Sequence, residues 1–155
     1  ETDAVNATLP VLLRQAAAMS NPARIRSAAP PGVYLPPQSI FREEVEHGWC
    51  YYYQKAELAR QNRDWGEVAR LGEIAFSLDD YPNDAVERLV FIEGYAHNGD
   101  WQRALQLTRQ TVDISDLAVP PICALWGRIA RETPPSSEKI EAVNTVQAAW
   151  SCDLP

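Results

Sequence analysis

Histidine is scarce in this chain, with two in 155 residues, and there is a single methionine. His47 and His97 each have one potential ligand three residues on, Cys50 and Asp100, but neither pair completes a recognised zinc-binding motif, so no zinc site is expected. Three cysteines, Cys50, Cys123 and Cys152, form no C-x-x-C and are too few for a disulfide framework. G-x-S-x-G, P-loop and dinucleotide patterns are all missing. Carboxylate neighbours such as Glu43/Glu44 and Asp79/Asp80 lie near helix ends, where capping or solvation is the ordinary role. Intrinsic catalysis and a cofactor are therefore not expected. Basic charge is also short: 14 Lys and Arg face 21 Asp and Glu, leaving −7. That balance argues against a nucleic-acid groove or an anionic-membrane patch. No apolar run approaches the roughly 20 residues of a membrane span, so these residues are not expected to insert into a bilayer.

What remains is 46% hydrophobic and 23% charged, an ordinary globular composition. Prolines divide it. Five of the twelve fall between Pro22 and Pro37, which excludes helix there. An extended connector is expected, with a short strand at 23–27. Before it, "ATLPVLLRQAAAMS" reads as a helix. Thr8 caps it, Pro10 sits in the first turn, and Leu9, Leu12, Leu13 and Ala16 share a face. Residues 1–40 are thus expected to form an N-terminal helix and proline-rich arm packed on a main body of residues 41–155.

That body reads as helical throughout. Asp64-Trp65 and Asp100-Trp101 recur 36 residues apart, each between two helical segments. Asp64 and Glu67, and Asp84 and Glu87, have capping-box spacing. Val68, Leu71, Ile74, Ala75 and Leu78 form one apolar stripe, and Ala104, Leu107, Thr111 and Ile114 another. Between the copies, Val86, Leu89, Val90, Ile92 and Tyr95 cover more than one face, so this helix is expected to be sandwiched. Asn98-Gly99 supplies a left-handed stop. A third, divergent pair follows. Pro120 and Pro121 open a helix lined by Ile122, Leu125, Trp126 and Ile129, and the last helix carries Ile140, Val143, Val146 and Trp150.

The two marked copies resemble tetratricopeptide repeats. "NGDWQRAL" matches the turn and small-residue pattern of that family. "NRDWGEVA" puts Arg63 at the turn glycine and Val68 at the small position. The resemblance implies an all-α fold: a short tetratricopeptide-like superhelix of about three antiparallel helix pairs. A narrower resemblance, over residues 40–132, is to the soluble C-terminal segment of uncharacterised bacterial polytopic membrane proteins of glycosyltransferase type. It implies a domain attached to a membrane outside the cytoplasm. The chain opens on Glu1 rather than Met, so either a piece of a longer protein or a processed product is expected.

The repeat frame places Tyr53, Glu57, Arg60 and Gln61 from the first copy on the inner surface, with Glu93 and His97 from the second. A surface of this kind reads a peptide or protein partner, or the parent protein's own membrane portion, by hydrogen bonds. With three pairs it is shallow, and the arm could fill it. Trp49 joins the candidate residues because Trp49, Tyr52 and Tyr53 can share a helix face suited to stacking a sugar; core packing is the plainer reading. Trp65 and Trp101 read as turn anchors packing down on their own pairs. Cys123 and Cys152 either remain buried thiols or form a bridge. A straight last helix carries Cys152 roughly 8–9 Å beyond the level of Cys123, so a bridge requires the tail to fold back. The leading expectation is a non-catalytic protein-interaction or structural module, and the alternative is an accessory glycan-binding domain of a membrane glycosyltransferase.

Overall fold

The computed structural model describes residues 9–19, 21, 39–40 and 47–155. The described residues form seven α-helices and no strand. The proline-rich connector and the short strand expected at 23–27 lie outside them. The chain divides into two units, Glu1–Glu44 and Val45–Pro155. In the first unit, helix α1 is Val11–Met19. The Pro10 carbonyl accepts from the Leu13 and Arg14 amides, so the proline stands just ahead of the first turn, where its missing N–H costs nothing. None of the α1 side chains is buried.

The second unit holds α2 (Trp49–Gln61), α3 (Trp65–Ser77), α4 (Leu89–His97), α5 (Trp101–Ile114), α6 (Val119–Glu132) and α7 (Ser137–Trp150). Helix α3 packs on α2 and α4, α4 on α5, and α6 on α7, while α2 and α6 also flank α4 and α5 meets α7. Every residue from Val90 to Ala96 is buried, as expected of a helix with neighbours on several sides. Asp64 and Asp100 cap α3 and α5, each accepting the amide three residues on, Glu67 at 3.1 Å and Arg103 at 3.0 Å. The capping boxes are only half made. The Glu67 carboxylate takes Arg70 at 2.6 Å instead of reaching back. Asp84 caps a 3₁₀ turn, Ala85–Arg88, that precedes α4, and Glu87 serves a residue on another helix.

The stripes are buried at Val68, Leu71, Ala75, Ala104, Leu107 and Thr111 and throughout the expected set of α6. They run out at helix ends: Ile114 and Ile140 are exposed. The indoles at the centre are Trp49 and Trp126, not the two of the repeat marks. Trp126 Nε1 donates to Thr108 Oγ1 at 3.1 Å, which satisfies its buried N–H. Trp65 and Trp101 are half-buried against the core. Trp65 also stacks on His97 of α4, which ties it to the next pair.

The tail does fold back. Ser151 is left-handed, with φ of 55°, and ends α7 abruptly. Cys152 and Leu154 then turn into the core. Cys152 is disulfide-bonded to Cys123 in the first turns of α6, with Cα atoms 5.2 Å apart. Cys50 is free and exposed.

Candidate functional site

Tyr53, Glu57 and Arg60 stand four and three residues apart on α2 and so share a face. Glu93 and His97 repeat that spacing on α4. The two sets meet. Arg60 donates to Glu57 Oε2 from Nε at 3.0 Å and from Nη2 at 2.8 Å. Its Nη1 lies 3.9 Å from Glu93 Oε2. The Glu93 side chain is only 2% exposed, which an ionised carboxylate tolerates only with close partners. Arg128 of α6 supplies them as a bidentate fork, donating to Oε1 at 2.6 Å and to Oε2 at 2.9 Å. One chain of charge, Glu57–Arg60–Glu93–Arg128, therefore crosses α2, α4 and α6. Burial works against the Arg60 charge, but Glu57 and then Glu93 outweigh it, and its pKa rises above the ordinary value.

His97 closes the α4 side. Its ring lies flat on Trp65, centroids 3.9 Å apart and planes 9° apart. Its Nε2 is buried without a hydrogen-bond partner. Burial pushes the imidazole below its ordinary pKa; Glu93 and Glu132 pull it up, while Arg128 and Arg63 push it further down. The neutral ring is the favoured form at neutral pH.

Of the residues that the sequence proposes, Tyr53, Glu57, Arg60, Glu93 and His97 lie along these helices, and Gln61 is exposed at the end of α2. Two corrections are needed. Trp49 is not a surface group: it is 1% exposed, donates from Nε1 to Glu87 at 2.7 Å and meets Phe76 and Phe91 edge-on. Its backbone amide donates to Asp80 Oδ2 at 2.6 Å. At 1% exposure it offers no open ring face on which a sugar could stack. Glu93, taken for an open hydrogen-bonding group, is buried and fully engaged. Arg128 escaped the sequence reading. It stands 35 residues after Glu93, close to the repeat interval, on the pair whose marks have faded.

The two carboxylates and two guanidinium groups of this arrangement neutralise one another. Among the described residues, no group of three or more His, Cys, Asp or Glu could hold a metal ion. No family model, curated protein or solved structure matches the chain.

Proposed function

We propose that this chain is a non-catalytic interaction module, a tetratricopeptide-like array of three helix pairs whose inner face docks a peptide or a neighbouring domain. The observation that carries it is the charge chain from α2 through α4 to α6. It holds the first helices of three successive pairs side by side and leaves Tyr53, Glu57, Gln61 and His97 along one polar face. Paired charges on such a face recognise polar groups by geometry rather than by net attraction. Burial of Trp49 removes the sugar-stacking platform, so the glycan-binding alternative loses its main support.

The setting we propose is the extramembranous part of a larger membrane protein, outside the cytoplasm. The Cys123–Cys152 disulfide supports an oxidising compartment, since structural bridges rarely persist against cytosolic reductants. No helix among the described residues is long and apolar enough to cross a membrane. Attachment would therefore lie with the parent protein.

The test is a random-peptide display selection on the oxidised chain. Selected peptides should bind at least about tenfold more weakly to Tyr53→Ala and Gln61→Arg, and unchanged to Gln147→Arg on α7. Circular dichroism melts would verify that each variant folds. Peptides indifferent to the first two changes, or none selected above background, would overturn the reading.

A further inference from the structure

A second feature shares no residue with the polar face. Where α2 begins and α3 and α5 end, a cavity of about 360 Å³ opens. That size lies within the range of small-molecule sites. Its walls are apolar: Trp49, Phe76, Leu78, Tyr81, Pro82 and Ile114. Three charged side chains line it, Arg88, Asp80 and Asp113.

These three differ in what they have left to offer. Asp80 is committed, accepting from the Trp49 amide at 2.6 Å and the Tyr81 amide at 2.9 Å. Asp113 makes no hydrogen bond or ion pair among the described residues. Arg88 makes none either, although it is half-buried at the end of the 3₁₀ turn. Burial pushes its pKa down, and Glu87, whose carboxylate holds the Trp49 indole, is the group that opposes this. A guanidinium offers five donors in a planar fork. Here Arg88 lines an apolar cavity, and among the described residues no acceptor is hydrogen-bonded to its fork.

We propose that this cavity binds a small monocarboxylic acid with an aromatic or branched aliphatic body, its carboxylate held by Arg88 and its body by the walls around Phe76 and Ile114. The anion supplies the acceptors that the guanidinium lacks. The carboxylates of Asp80 and Asp113 disfavour a second negative charge on the ligand. An α-amino acid belongs to the same class, and its ammonium would find Asp113 free.

The probe is 3-phenylpropanoate, titrated calorimetrically into the full chain. A ligand this small is expected to bind with Kd on the order of 1 mM. Arg88→Gln should weaken it at least about tenfold. Phenethylamine, with the same ring and opposite charge, should bind more weakly than the acid and be indifferent to Arg88→Gln. Because Arg88 makes no bond in the fold, its replacement should leave the thermal melt unchanged. Ile114→Trp, which fills the cavity from an exposed position, should also abolish binding and decides the matter should Arg88→Gln fold poorly. Phenylalanine separates the sources: tighter binding than phenylpropanoate, lost in Asp113→Asn, assigns an amino acid, and equal binding assigns a plain acid. No binding up to about 10 mM, equal binding of acid and amine, or indifference to both variants would overturn the proposal.

Discussion

Arg63 and Gly99 occupy equivalent turns 36 residues apart, and both are left-handed, with φ of 57° and 79°. Glycine adopts this conformation freely, whereas an L side chain pays roughly 1–2 kcal/mol for it. Part of that returns because glycine loses more backbone entropy on folding. Arg63→Gly should therefore stabilise the chain by about 0.5 kcal/mol, and Gly99→Ala should destabilise it by about 1 kcal/mol. Thermal melts of the two variants, moving in opposite directions, would verify this. His97 belongs to the same scale. Its folded pKa lies below the ordinary 6.5, so the unfolded chain binds a proton more readily. The stability it allows is complete above 6.5 and declines as pH falls through that value toward the folded pKa. The melting temperature of His97→Gln should fall less than that of the parent between pH values of about 7.5 and 5.5. Parallel curves would remove His97 from the account.

At the scale of helices, the close approach of α3 and α4 is set by Gly94. A β-carbon there would collide with the side chain of Val68, and 3.5 Å away lies the Ala69 amide nitrogen. Gly94→Ala should cost about 1–3 kcal/mol through overpacking. Val68→Ala leaves a small void alone, but added to Gly94→Ala it should restore part of the loss. Denaturant unfolding of the four proteins in a double-mutant cycle measures that coupling. The helices themselves were largely legible. Aspartates before an apolar period, Asn98-Gly99 and Pro120-Pro121 are local signals, and each falls at an observed helix boundary. Side-chain partners were less so. Glu67 and Glu87 have capping spacing, but spacing does not say whether Arg70 or the Trp49 indole competes for the carboxylate. Arg128 was hidden because apolar periodicity marks the buried stripe of α6 and is silent about a polar neighbour of that stripe. The cavity at Arg88 escaped for a related reason: its walls come from three helix ends and a 3₁₀ turn distant in sequence.

For the molecule as a whole, the disulfide matters most. It joins the start of α6 to the chain beyond α7, 29 residues on, and so encloses the third helix pair. Closing a loop of that size in the unfolded chain contributes about 3.5 kcal/mol in the chain-entropy account. Such a contribution is a large part of a domain's usual stability. Cys123→Ser or Cys152→Ser should lower stability by that order, and reductant should do the same to the parent but not to either variant. Thiol titration under denaturing, non-reducing conditions should find one thiol per chain, Cys50. Three would refute the bridge. The divergent pair is thus the covalently closed one, while the two pairs with Asp-Trp marks hold together by packing and by the buried charge chain.

The flat contact between Trp65 and His97 has an optical consequence. An imidazolium in contact with an indole quenches its fluorescence, whereas a neutral imidazole does so far less. Acidification should dim one of the five tryptophans selectively, following the proton on His97. The emission lost in the parent and retained in His97→Gln would then read the protonation of that single ring directly, without unfolding the chain and without any added dye.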